Sequence, residues 1–234
     1  MKYLKVITIS CLFALTSQSF AGGIEDDPVL TKVMGEVELR STDDVNPRAW
    51  NINAWVGQDL NKFWVKTRGE KIAGKIEKSE LQLLYSKAIT PFWDLQLGVK
   101  KDFQPKPQRN WGVIAAKGLA PYLFEVDASL FVGESGKLGV RLEAEYEYIF
   151  SQKLILSPEV EINAFSKDDE LTGTGKGLSS VEAGLRLRYE VTREFAPYIG
   201  INWEKKYGNT ADFSLTEGKG IEDAQIVVGM RFWF

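Results

Sequence analysis

The 234-residue chain contains no histidine and a single cysteine. Ser-His-Asp and Cys-His catalysis, histidine-based proton transfer and His/Cys zinc coordination therefore fall away together. A basic excess is also missing, because 29 Lys and Arg stand against 32 Asp and Glu. Without it there is little drive to track phosphates, and nucleic acid is not expected as a partner. Methionine is scarce, at three residues. No segment after the N-terminal one offers 18 consecutive apolar residues, so no transmembrane helix is expected. What the chain does have is aromatics, 12% of residues with seven tryptophans, set among 26% charged residues. That combination implies alternation of polar and apolar positions.

Met1 to Ala21 reads as a secretory signal. Lys2 and Lys5 form its charged start, Val6 to Leu15 a short apolar stretch, and Ser19-Phe20-Ala21 a small-residue cleavage site. The apolar run is too short to span a bilayer, which takes roughly 20 residues. Cys11 lies within it, so cleavage leaves an exported chain without cysteine and without disulfides. Residues 22–30 are expected as a short periplasmic segment ahead of a barrel over 31–234.

From there on, period two dominates. Val140, Leu142, Ala144, Tyr146 and Tyr148 alternate with Arg141, Glu143, Glu145 and Glu147. The same holds for Val181, Ala183, Leu185, Leu187, Tyr189 and Val191 against Glu182, Arg186, Arg188 and Glu190. At the end Ala224, Ile226, Val228, Met230, Phe232 and Phe234 alternate with Asp223, Gln225, Gly229 and Arg231. Such stretches predict about twelve strands, near 31–40, 48–57, 61–70, 76–89, 92–103, 110–118, 122–134, 138–150, 153–166, 178–191, 195–207 and 222–234. Ten remain if 31–40 or 110–118 fail to pair.

Connections alternate between short (near Gln58–Leu60, Thr90–Pro91, Ala120–Pro121, Ser151–Gln152 and Thr192–Glu194) and longer. The longer ones lie near Ser41–Pro47, Lys71–Lys75, Gln104–Arg109, Ser135–Lys137, Lys167–Gly177 and Gly208–Ile221. Short periplasmic turns alternating with longer external loops define a transmembrane antiparallel up-and-down β-barrel of the bacterial outer membrane, both termini periplasmic. A soluble sandwich also alternates, but two aromatic belts argue for lipid. Phe63, Tyr85, Trp93, Tyr122, Tyr148, Tyr189, Phe195, Phe232 and Phe234 fall near one end, and Trp50, Phe103, Trp111 and Trp203 near the other. Outer-membrane lipid and lipopolysaccharide are the surroundings this implies.

In a barrel the charged parity faces inward, because a charge on the lipid face at mid-membrane costs about 2–4 kcal/mol. The inward set of three strands is acidic: Glu125, Asp127, Glu143, Glu145, Glu147, Glu159 and Glu161, relieved by Arg141. Other strands answer with Lys62, Lys66, Arg68, Arg186, Arg188 and Arg231. Two accounts fit, a network of ion pairs holding a filled lumen or a cation-favouring path. Trp64, Phe131, Ile155 and Phe165 also point inward, as plugging residues. Gly173-Thr174-Gly175-Lys176-Gly177 lacks the helix a phosphate cradle needs and reads as loop. The run Lys167-Asp168-Asp169-Glu170 reads as a solvated loop tip, with a cation site as the alternative.

Specific words now carry a resemblance. WVGQDLNKFWVKTRGE (Trp55 to Glu70), LLYSKAITPFWDLQLGV (Leu83 to Val99) and GLAPYLFEVDA (Gly118 to Ala128) come first. SSVEAGLRLRYE (Ser179 to Glu190), EFAPYIGINWE (Glu194 to Glu204) and VGMRFWF (Val228 to Phe234) follow. Together they resemble the copper resistance protein B family of bacterial outer-membrane proteins. The resemblance implies a barrel without enzymatic activity that serves copper resistance and homeostasis, binding copper ions or letting them cross the outer membrane. A periplasmic copper protein is the implied partner, and a general small-solute channel the alternative. Family members often carry a Met- and His-rich segment ahead of the barrel, suited to copper. Here the corresponding residues hold no histidine, and the cleaved chain keeps Met34 and Met230 alone. Parity turns Met230 to lipid and Met34 to the lumen beside Glu36 and Glu38, the best cluster for a weakly held copper ion. Met34 as a simple space-filler is the competing reading.

Overall fold

The computed structural model describes residues 27–41 and 46–234. The signal segment Met1–Ala21, Cys11 and residues 22–26 lie outside the described residues. The described chain is strand almost throughout: β1 (Leu30–Ser41), β2 (Arg48–Gly57), β3 (Asn61–Ile72), β4 (Lys75–Thr90), β5 (Trp93–Gln104) and β6 (Arg109–Ala120). Then come β7 (Phe124–Gly133), β8 (Leu138–Glu145, resuming at Tyr148–Ile149), β9 (Leu154–Phe165), β10 (Gly177–Tyr189) and β11 (Phe195–Lys206). One helix, α1 (Gly208–Thr216), precedes β12 (Glu222–Trp233). Each strand pairs antiparallel with its sequence neighbours, and β12 pairs with β1, closing a twelve-stranded barrel. Closure leaves no free edge. The terminal Phe234 zips onto Val33 through reciprocal backbone hydrogen bonds of 2.8 Å, so the start of β1 and the C-terminal residue lie at one end.

Burial follows the alternation. Val37, Leu39, Val99, Val140, Ile199, Ile201, Ile226 and Val228 are exposed on the outside, while the residues between them are covered. An apolar belt this extensive would not stand in water. No helix among the described residues is long and apolar enough to cross a membrane, so any crossing is made by strands.

Strand positions agree with the alternation to within about two residues, and the differences have local causes. β8 is interrupted at Tyr146-Glu147. Tyr146 donates to the Pro158 carbonyl at 3.0 Å, but proline has no N–H to return the bond, and the ladder loses a rung. The connection expected to be long over Lys71–Lys75 is a two-residue turn, Ala73-Gly74, with φ of 47° and 86°. Positive φ at both positions is what a tight hairpin demands. The last loop contains α1, which apolar periodicity does not announce because its covered side is hydroxylic. Its buried residues are Thr210 and Ser214. Thr210 Oγ1 accepts from Gly175 N at 2.7 Å and lies 2.9 Å from Ser179 Oγ, while Lys206 Nζ donates to Ser214 Oγ at 3.0 Å.

The Gly173–Gly177 segment is thus tied to α1. Asp168 accepts from Lys176 N and from Asn209 Nδ2, at 2.6 and 3.0 Å. Asp169 takes a bidentate pair from Arg109 at 2.9 and 3.0 Å and a bond from Lys137 at 3.3 Å. The acidic run is therefore a clamp across one mouth of the barrel. Burial alone would raise the Asp169 carboxyl, but the bonds from Arg109 and the charge of Lys137 outweigh it and hold it below the ordinary value.

Candidate functional site: a charged, filled lumen

Inward parity gathers the charged residues inside. At mid-depth Lys66 on β3 donates to Asp127 on β7 at 2.8 Å and to Gln96 at 3.1 Å. Arg68, also on β3, crosses to Glu143 on β8 at 2.7 Å and Glu161 on β9 at 2.8 Å. Arg141 grips Glu80 through both terminal nitrogens at 2.8 and 3.0 Å. Glu80 also faces Arg68 at 3.4 Å and Lys100 at 3.5 Å. Lys100 in turn sits 4.2 Å above the Phe131 ring, a favourable cation–π placement.

Toward the termini, arginines stand among carboxylates instead of opposite them. Arg186 binds Glu38 at 2.5 Å and contacts Glu159. Arg188 binds Glu147 at 2.6 Å, and Arg231 binds Glu36, Glu145 and Glu147 at 2.5, 2.8 and 3.2 Å. The two-wall picture holds for β3 and fails for β10 and β12, whose arginines share strands or neighbours with the acidic residues. Glu125 lies exposed at the start of β7, and Lys62, at the start of β3, is 3.8 Å from Asp94.

Met34, Glu36 and Glu38 share the lumenal face of β1, but each is already engaged. Met34 packs against an apolar cluster of Trp64, Leu84, Trp111, Val113, Ala115 and Phe131, which Trp55 and Phe165 also join. Glu36 is held by Arg231, and Glu38 by Arg186, Arg40 and the Tyr198 hydroxyl at 3.0 Å. Among the described residues no three Asp, Glu, Cys or His side chains converge as a metal cage. Trp64, Phe131 and Ile155 are buried inward as expected. Trp111 is a correction: its side chain is in the lumen, 5% exposed, and not in an outer belt. The face of β6 is ambiguous in sequence because both parities of 111–116 are apolar or small.

The register shows what composition does not. Asp127 pairs with Glu143, Glu143 with Glu161, Glu161 with Glu182, Glu182 with Glu204, and Glu204 with Asp223. Six acidic residues on six consecutive strands thus form one row. It begins near the terminus-proximal third of β7 and, because the strands are staggered, ends at the loop end of β12. Like charges directly opposite are destabilising, so the compensation must come from across the lumen, and Lys66, Arg68, Arg40 and Lys78 supply it. Glu80, Arg40, Lys78 and Lys100 were missed in the sequence, where their strands give no acidic or basic run.

These features define a closed, outer-membrane-type β-barrel whose interior is occupied by ion pairs. Solved structures share the fold: the NanC porin matches with a TM-score of 0.59 at 12% identity, over 86% of this chain and 98% of that one. The KdgM porin matches with a TM-score of 0.50 at 9% identity, over 86% and 98%. In sequence, the family model "Copper resistance protein B precursor (CopB)" matches residues 29–234. A copper resistance protein B of Escherichia coli is 42% identical over 202 residues, 86% of this chain and 68% of that protein. A homologue from Pseudomonas syringae pv. tomato is 38% identical over 202 residues, 86% and 69%. The chain belongs to the copper resistance protein B family.

Proposed function

We propose that this protein serves copper tolerance as a non-enzymatic barrel of the outer membrane, both termini periplasmic, through which copper ions pass as cargo. The reading is carried by the six-strand row of carboxylates. It links the periplasmic half of the lumen to the outer mouth, and carboxylate rows favour cations. Side chains along this side keep partial access to water, 29% for Glu143, 24% for Glu161 and 40% for Glu147. Copper suits passage better than residence here. Hard carboxylates already held by arginine, with a single thioether at Met34, make a poor cage for either copper state. A periplasmic copper protein would meet the ion at the terminus-proximal mouth, where Glu36, Glu145 and Glu147 share Arg231.

A general channel for small solutes is the second reading, favoured by the likeness to porins. Against it, Gln96, Val227, Asn202 and Ser86 are less than 2% exposed within the lumen, a packing that leaves sugars little room. Planar-bilayer recording in a salt gradient separates the two. Cation-selective current that copper carries or blocks, and that loses selectivity in the triple variant Glu143→Gln, Glu161→Gln, Glu204→Gln, is the expected result. Reversal potentials unmoved by the triple variant would defeat the acidic-row reading, and copper-independent sugar flux would favour the general channel.

A further inference from the structure

At the outer end of β10–β12, two rows of lumenal residues lie side by side. One is Glu182–Glu204–Asp223, the end of the acidic row, and the next is Gly184–Asn202–Gln225. Asn202 is 1% exposed, and its amide nitrogen donates to Glu182 Oε1 at 2.8 Å. Gln225, directly opposite Asn202 in register, donates from its amide nitrogen to Asp223 Oδ2 at 2.7 Å. Both amides are thereby fixed in orientation, since flipping either would set a carbonyl against a carboxylate. Their carbonyl oxygens, Asn202 Oδ1 and Gln225 Oε1, are buried and receive no hydrogen bond. Two adjacent acceptors without a donor are unusual in a protein interior. The neighbouring carboxylates make a positively charged partner the favourable one.

We propose that Asn202, Gln225, Glu182 and Asp223 form a binding site for a hard divalent cation of the calcium class. All four offer oxygen, two neutral amide carbonyls and two carboxylates, with no sulfur or imidazole, which is the donor set of calcium and not of a copper-specific site. Arg40 lies 3.2 Å from Glu182 and Lys78 3.6 Å from Glu204, the local competitors for these charges. Asp223 is exposed, and its side-chain partner among the described residues is Gln225. It is thus the group through which an ion from outside would enter. The site shares Glu182 and Asp223 with the acidic row, but it rests on the two unpaired amide oxygens beside the row and not on copper passage.

Terbium luminescence of the refolded full chain in detergent tests it, without copper present. Trp203, next to Asn202 in the chain, serves as the sensitiser. The expected result is saturable emission that calcium displaces, with affinity at least tenfold weaker in Asp223→Asn and in Gln225→Leu. Trp203→Phe lowers the emission and leaves the affinity unchanged, and Glu217→Gln, in the loop, changes neither. The exposed position of Asp223 keeps that variant foldable, and the heat-dependent gel shift of folded barrels verifies it. No saturable emission, emission that calcium does not displace, or affinity unchanged in both Asp223→Asn and Gln225→Leu overturns the proposal. The last two outcomes would leave a bridging water as the partner of the two oxygens.

Discussion

Replacing Glu80 by glutamine removes the hub of the lumenal network while keeping its volume. Glu80 accepts from both terminal nitrogens of Arg141 and from Gln82 Nε2 at 2.9 Å, and it lies within 3.5 Å of Arg68 and Lys100. Its side chain is 11% exposed and that of Arg141 13%, so little water is at hand to replace the charge. Removing one partner of a buried pair costs about 3–5 kcal/mol, because the other charge is left uncompensated. Here three cations lose a share of their counterion at once, although Arg68 keeps Glu143 and Glu161, and Lys100 keeps Asp102 at 3.1 Å. The expected loss for Glu80→Gln is therefore about 3–5 kcal/mol and not a multiple of it. Urea unfolding in lipid vesicles, followed by tryptophan emission, measures it. Glu222→Gln serves as the control, since the Lys205–Glu222 pair is 34% and 48% exposed and worth about 1 kcal/mol or less. Equal, small losses for the two variants would refute the reasoning and show the lumen to be wet enough to screen Glu80.

Two further outcomes follow from local geometry. At Gly69 an added Cβ would run into the Trp50 ring and come 2.6 Å from the backbone oxygen of Lys78, so Gly69→Val is expected to cost about 1–3 kcal/mol. A gel shift and urea midpoint equal to the parent's would disprove that packing. Because the Asp169 carboxyl is held below its ordinary 3.8, the clamp across the mouth contributes stability above that pH. It loses it as pH falls through the lower folded value. Pepsin cleavage between residues 166 and 176 should rise steeply below about pH 4 in the parent and already be high at pH 4 in Asp169→Asn. Identical pH profiles for the two proteins would contradict the clamp.

Strand count, order and facing were legible because a barrel writes its two environments into alternate residues, most clearly where charges mark one parity, as in Val140–Tyr148. Legibility fails where that contrast vanishes. Along β6 Trp111, Val113 and Ala115 alternate with Gly112, Ile114 and Ala116, so nothing tells the lumen from the lipid, and Trp111 reads as outward although it is buried inside. In β4 the inward face mixes Glu80, Gln82, Leu84 and Ser86, which hid the hub. Helix α1 buries hydroxyls, and hydroxyls leave no apolar period. The acidic row was unreadable for a deeper reason. Register between strands is set by turn lengths and bulges, such as the shift between Glu70 and Lys71, and not by any single strand.

That row is also the strongest argument that the lumen is more than a scaffold. Buried ion pairs can often be exchanged for well-packed apolar side chains at no loss, or with a gain, in stability. The cluster around Trp64, Trp111 and Phe131 shows that this barrel packs an apolar interior where it needs one. Stability alone would have extended that cluster across β7–β12. Instead the chain places six carboxylates side by side and balances them with long lysine and arginine side chains from β1, β3 and β4. On the proposed reading, a cation entering the row would compete with Lys78 and Arg68 for their carboxylates, an interaction an apolar interior does not offer. The partly exposed carboxylates Glu143, Glu161 and Glu204 are where such competition would begin.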